Sequence, residues 1–284
     1  MDGQALWTGV GALAAAVGVV WLATRWVEWS QLYHPRVEIS NTPDDAGLEY
    51  EDVEFVAEDA IRLHGWWIPS PSARGSLIYC HGNGENVGDL VGLAADLRAL
   101  GVNVFLFDYR GYGRSRGWPT ERGTYRDARA AFEYVRARHG QVEHPPIVAL
   151  GRSLGGAVAA QLALDKPLQG LILESTFAST AALGRLLFPR LPVERLCRYR
   201  YDTLSKMPRI AIPLLVAHSP EDGLIPLSQA QALYETAPGP KQFVLLSGTH
   251  NEAGWRRTPA YLEALRAFLA RTLGEPAATA TQGR

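Results

Sequence analysis

Ser153 sits in Gly151-Arg152-Ser153-Leu154-Gly155, between the short apolar run Ile147 to Leu150 and an Ala- and Leu-rich stretch from Gly156 to Leu164. Strand, sharp turn and helix in that order make a nucleophile elbow. The turn is strained and pushes the serine hydroxyl outward. Side chains two residues to either side would keep strand and helix apart, hence glycine at 151 and 155. A second match, Gly113-Arg114-Ser115-Arg116-Gly117, has no strand immediately before it and runs into Trp118-Pro119. Ser115 therefore reads as a loop serine, and context selects Ser153.

An elbow serine needs a base to take its proton and an acid to orient that base, in chain order Ser, acid, His. Only His218 and His250 follow Ser153. His250 lies in Ser247-Gly248-Thr249-His250, just past an apolar run at Phe243 to Leu246. Asp222 lies in the loop after Ile212 to Ala217. Asp222 and His250 thus satisfy both chain order and placement at strand ends. His218 is the alternative base, with Glu174 as its acid, and Glu221 is the adjacent rival to Asp222.

The tetrahedral intermediate of such chemistry needs two backbone N–H groups. One belongs to the residue after the nucleophile, Leu154. The other is expected from the loop His81-Gly82-Asn83-Gly84, which follows the run Ser76 to Cys80 and keeps side chains small. Asn83 is the candidate donor, with Gly82 and Gly84 beside it, and His81 is read as ordering the loop.

The elements that must position these residues follow from periodicity. Tyr50 to Ala57 and Ile61 to Ile68 read as an antiparallel pair, with His64 a half-exposed strand residue. From Ser76 onward, apolar runs at 76–80, 102–107, 147–150, 170–173, 212–217 and 243–246 alternate with helical patterns at 87–100, 120–139, 155–165, 226–236 and 259–273. Eight strands in a mostly parallel sheet flanked by helices are expected, an α/β class. The chain has 284 residues, 47% of them hydrophobic, and net charge −1, enough for one sizeable core and without the basic bias of a nucleic-acid binder. Cys80 and Cys197 form neither a disulfide framework nor a metal spacing, and no cofactor or metal is implied.

Gly3 to Thr24 carries no charge and would span about 33 Å as a helix, against a hydrocarbon core of about 30 Å. Trp7 lies near one end, and Trp21, Trp26 and Trp29 near the other, where amphipathic rings settle at an interface. A cleaved signal would want a basic n-region that Met1-Asp2-Gly3-Gln4 lacks, so a retained transmembrane anchor is expected over residues 1–29. Arg25 and Arg36 after the span place the remainder weakly in the cytoplasm. Residues 30–49 read as a connector, 50–273 as the catalytic domain with a cap at about 177–207, and 274–284 as a disordered tail.

With these residues placed, the chain from about 50 to 273 resembles the α/β-hydrolase superfamily, and within it the membrane-anchored bud-emergence-like hydrolases. The motifs that carry the resemblance are His81-Gly82-Asn83-Gly84-Glu85-Asn86, Asp108-Tyr109-Arg110-Gly111-Tyr112-Gly113-Arg114-Ser115, Gly151-Arg152-Ser153-Leu154-Gly155-Gly156, Glu174-Ser175-Thr176-Phe177, the Asp222 and His250 loops, and Tyr33-His34-Pro35 after the N-terminal span. It implies an α/β-hydrolase fold with nucleophile Ser153, base His250, acid Asp222 and oxyanion donors at Asn83 and Leu154.

The resemblance also implies a small acyl-ester, lipid or acyl-protein substrate, including thioesters, or peptides as the alternative. A peptidase would want a carboxylate for a substrate amine, with Glu174 and Glu194 as candidates. A membrane-tethered binding protein without chemistry is the remaining reading. Between Phe177 and Met207, Leu183, Leu186, Leu187, Phe188, Leu191 and Leu196 are mixed with six basic residues. Such a segment suits either a lipid headgroup contact or a cap packed on the sheet with solvated arginines.

Overall fold

A computed structural model of the chain describes residues 3–140, 146–252 and 258–274, and the side chains of these except residues 3–14 and 17. The apolar runs form one eight-stranded sheet: β1 (Glu51–Val56), β2 (Arg62–Ile68), β3 (Ser76–Cys80), β4 (Asn103–Asp108), β5 (Ile147–Arg152), β6 (Gly170–Glu174), β7 (Leu214–His218) and β8 (Lys241–Leu245). Their spatial order is β1-β2-β4-β3-β5-β6-β7-β8. β2 runs antiparallel to both β1 and β4, and every pair from β4 to β8 is parallel.

Helices α1 (Gly3–Leu32), α2 (Val91–Ala99), α3 (Glu121–Arg138), α4 (Leu154–Asp165), α5 (Thr180–Leu187), α6 (Val193–Leu196), α7 (Leu227–Thr236) and α8 (Pro259–Leu273) complete the order. Because both faces of the parallel strands are covered, β3, β6 and β7 are buried at every residue and read as continuous apolar runs. One core layer lies between the sheet and α3, α4 and α7, around Phe105, Phe132, Val158 and Leu233. The other lies between the sheet and α2 and α8, around Leu77, Leu97, Leu265 and Phe268. Each such side chain contributes roughly 1.5–3 kcal/mol by leaving water.

α5, α6 and a 3₁₀ turn at Leu204–Arg209 occupy the excursion between β6 and β7. The C-terminal part of α1 packs against this excursion. Glu28 accepts the backbone N–H groups of Arg198 and Tyr199 at 2.6 and 2.8 Å, and Arg25 donates to the carbonyl of Leu196. Trp29 stacks on Trp118 at 4.1 Å between centroids and donates its indole N–H to Pro119.

Much of the expected anchor Gly3 to Thr24 carries side chains outside the described residues, and among the described residues no helix is long and apolar enough to cross a membrane. One sequence expectation changes. His64 is 3% exposed rather than half-exposed, with Nε2 at 2.6 Å from Asp52 and Nδ1 at 3.5 Å from Asp108. Local alternation missed this because β2 is covered on both faces and reads buried at six consecutive positions. Residues 275–284, expected as a tail, lie outside the described residues.

Candidate active site

Parallel strands deliver their carboxyl ends to one edge, and four loops meet there. Cys80 at the end of β3 is in register with Gly151 of β5, Arg152 with Glu174 of β6, and His218 of β7 with Leu245 of β8. The loops carrying residues 81–86, Ser153, Asp222 and His250 are therefore neighbours in space.

The elbow is as tight as its glycines suggest. Ser153 has φ +52° and ψ −119°, a conformation that costs a non-glycine residue roughly 1–3 kcal/mol. A Cβ on Gly155 would lie 1.9 Å from the carbonyl oxygen of Cys80, and one on Gly151 would lie 2.2 Å from that of Gly155. The strained serine is held by its N–H donating to Glu174 O at 3.0 Å and by Thr176 Oγ1 donating to its carbonyl at 2.7 Å.

His250 Nε2 stands 3.1 Å from Ser153 Oγ, and its Nδ1 stands 2.6 Å from Asp222 Oδ2. An ionised carboxylate only accepts, so Nδ1 carries the proton and Nε2 is left as the acceptor for the serine hydroxyl. Burial by itself would raise the Asp222 carboxyl. The hydrogen bond from His250 and the backbone N–H groups of Ile225 and Leu224 outweigh it and hold the group below the ordinary carboxylate range.

Both alternatives fall elsewhere. His218 donates Nε2–H to Ile225 O at 2.8 Å, 3.6 Å from Asp222, and burial lowers its pKa. Glu221 accepts from Gly248 N–H at 3.3 Å. Ser115 donates to Asp108 O at 2.7 Å and accepts from His64 N–H at 2.9 Å, as a buried loop residue.

Leu154 is the first residue of α4, so its N–H has no partner inside the helix and benefits from the helix N-terminus. Across from it, Gly82 N–H is taken by Glu85 Oε2 at 2.8 Å, while the Asn83 N–H, the expected donor, has no protein acceptor among the described residues. A Cβ on Gly82 would come 3.6 Å from Ser153 Cβ, so the loop lies directly against Ser153. His81 donates Nδ1–H to Gly82 O at 2.8 Å and packs its ring 4.2 Å from that of Tyr109, which orders the loop from behind.

Four residues make contacts here that the sequence reading did not assign to them. Arg152 donates to Glu85 Oε1 at 2.6 Å and to His250 O at 2.7 Å, and its Nε lies 3.5 Å from Glu174, so it joins the elbow to two other loops. Glu174 is 1% exposed, its pKa raised by burial, and Tyr261 donates to it at 2.7 Å. His34 and Tyr112 both reach the side chain of Asn83. The sequence did place Arg152, Glu85, Glu174 and His34 inside recognisable motifs, but nothing local says that they meet. Among the described residues no cluster of His, Cys, Asp and Glu could hold a metal ion.

A serine, imidazole and carboxylate in this chain order and geometry can transfer an acyl group. A family model described as serine aminopeptidase, S33, matches residues 71–192. The chain is 36% identical over 224 residues to a Mycobacterium tuberculosis protein described as uncharacterized, covering 78% of this chain and 79% of that one. It is 32% identical over 214 residues to the alpha/beta hydrolase domain-containing protein WAV2 of Arabidopsis thaliana, covering 69% of each. In fold it is similar to an esterase of Pyrococcus furiosus, with TM-score 0.71, 24% identity, and coverage of 86% of this chain and 98% of that one. Sheet order, elbow and extended sequence similarity agree that the chain belongs to the α/β-hydrolase superfamily.

Proposed function

We propose that the protein is a serine hydrolase that cleaves carboxylic ester or thioester bonds of acyl substrates, with Ser153 as nucleophile, His250 as base and Asp222 as the orienting acid. The observation that carries this reading is the continuous relay Ser153 Oγ to His250 Nε2 at 3.1 Å and His250 Nδ1 to Asp222 at 2.6 Å.

His250 Nε2 takes the serine proton as Oγ bonds to the acyl carbon, and the carbonyl oxygen becomes an oxyanion between the Asn83 and Leu154 N–H groups. The imidazolium, paired with Asp222, then protonates the departing alcohol or thiol as the tetrahedral adduct collapses to an acyl-serine. Water, deprotonated by His250, adds to that ester, and the carboxylic acid leaves as the proton returns to Ser153.

An apolar groove of about 460 Å³ lies between α1 and the cap, lined by Val20, Leu32, Leu183, Leu187, Phe188 and Leu191 among others; its lining includes neither Ser153 nor His250, so the choice of an acyl group rests on the Ser153, His250 and Asp222 geometry. A peptidase reading is weakened because Glu174 is buried under Tyr261 and Arg152, while Glu194 pairs with Arg185. Association with a lipid surface belongs to the same proposal. Its support is the exposed set Val19, Val20, Trp21, Leu22 and Trp26 on α1 with Leu186, Leu187 and Leu191 on the cap.

The test is a fluorophosphonate probe on the full chain and on Ser153→Ala, followed by p-nitrophenyl esters of increasing chain length. Labelling that vanishes in the variant, with turnover rising toward longer acyl groups, is expected. A folded protein that is not labelled would replace this reading with a binding protein.

A further inference from the structure

Glycines make the oxyanion loop possible but do not aim it. Gly82 and Gly84 flank Asn83, and Gly84 sits at φ +77°, so the backbone around Asn83 has little intrinsic preference for one orientation. An oxyanion donor is effective only when its N–H already points where charge will develop. From one side the loop is held by Glu85, which takes the Gly82 N–H and is itself held by Arg152. From the other side the hold is the Asn83 side chain.

That side chain is fixed by a residue far upstream. The His34 backbone N–H, which can only donate, lies 2.7 Å from one amide atom of Asn83, so that atom is Oδ1. Oδ1 also accepts from the Tyr112 hydroxyl at 3.1 Å. The other amide atom is then Nδ2, 2.7 Å from His34 Nδ1. His34 Nδ1 therefore accepts, and the imidazole carries its proton on Nε2.

We propose that His34 is a positioning residue of the active site: it clamps the Asn83 side chain and so aims the Asn83 N–H at the oxyanion, making the segment 33–41 part of the catalytic apparatus. The proposal rests on the reading of Ser153 as nucleophile. The segment is built to hold still at this place. Tyr33, 1% exposed, has its hydroxyl 2.8 Å from that of Tyr201, which in turn lies 2.9 Å from Thr124 Oγ1. Arg36 O accepts from Gly113 N–H at 2.8 Å, Asn86 Nδ2 donates to Glu38 O at 2.6 Å, and Arg36 makes a two-oxygen pair with Asp89 at 2.9 and 3.0 Å. Asn41 Nδ2 donates to Gly88 O at 3.3 Å. Most of these bonds end on the single stretch 83–89, the oxyanion loop and the 3₁₀ turn behind it.

The test uses the full chain and a p-nitrophenyl ester, with His34→Phe, His34→Asn, Asn83→Ala and the double variant His34→Phe/Asn83→Ala. Phe keeps a ring and loses the acceptor, whereas Asn offers an acceptor oxygen at the position of Nδ1. Because the bond is exposed, His34→Phe is expected to lower kcat by about three- to tenfold, the effect of one modest hydrogen bond, with KM little changed. His34→Asn recovers most of that loss, and His34→Phe does no further harm once Asn83 is Ala.

A change in KM alone, equal losses in His34→Phe and His34→Asn, or additive losses in the double variant would overturn the proposal, and so would unchanged kcat in His34→Phe. If the wild-type chain neither reacts with a fluorophosphonate nor turns over an ester, the Ser153 reading itself has failed and the proposal falls with it.

Discussion

Arg152 donates from its guanidinium to the carbonyl oxygen of His250, 98 residues away in the chain, at 2.7 Å. The same guanidinium holds Glu85, so one side chain beside Ser153 ties the loop carrying His250 to the loop carrying residues 81–86. Arg152→Met is expected to lower kcat about tenfold, the effect of a misplaced base rather than an absent one. Arg152→Lys restores only part of it, because an ammonium cannot reproduce the planar fork that reaches two loops at once. Steady-state kinetics on both variants, with Tm as a check on folding, measures this.

Loss of the relay itself has a larger effect. Ser153→Ala and His250→Ala are each expected to remove nearly all ester turnover, and Asp222→Asn to lower it on the order of 10³–10⁴-fold, because an amide favours the wrong imidazole tautomer. Single-turnover assays of acyl-enzyme formation measure all three.

Ser115 separates the two G-x-S-x-G motifs. Ser115→Ala leaves His64 N–H and Asp108 O without their buried partner, so a stability loss of about 1–3 kcal/mol is expected, with kcat unchanged. Chemical denaturation and kinetics on the same preparation report both.

The elbow glycine at 155 has no room for a side chain. Gly155→Ala would bring its Cβ to 1.9 Å from the Cys80 carbonyl oxygen, backbone that cannot swing aside, and β3 would have to move away from α4. A loss above about 3 kcal/mol or failure to fold is expected, read by circular dichroism and denaturant midpoint.

The Asp222 carboxyl is held below its ordinary range, so its interactions stabilise the fold fully above its unfolded pKa of about 3.9 and lose that effect as pH falls through the lower folded value. The stability gap between wild type and Asp222→Asn is therefore expected to stay constant from pH 8 to about pH 5 and to narrow below about pH 4. Denaturation midpoints across that range test it.

Much of this protein is local in origin, and local patterns survive in one dimension. Gly151 and Gly155 announce the elbow because only glycine fits where strand and helix touch. The apolar runs announce eight strands because buried parallel strands must be apolar on both faces. The chain order of Ser153, Asp222 and His250 follows from which loops can reach one edge of a doubly covered sheet.

Tertiary structure decided what depends on two distant residues meeting. Glu221 and Asp222 are equivalent as sequence; only the path of the loop, fixed by the N–H groups of Leu224 and Ile225 on Asp222 Oδ1, turns Asp222 toward His250. His64 looked half-exposed because alternation describes one strand, while its burial comes from Asp52 on β1 and Asp108 on β4. Arg152 and His34 carry no periodic or spacing signal for their roles, since a hydrogen bond across 98 or 49 residues depends on the relative placement of whole elements and on no dihedral preference of either residue.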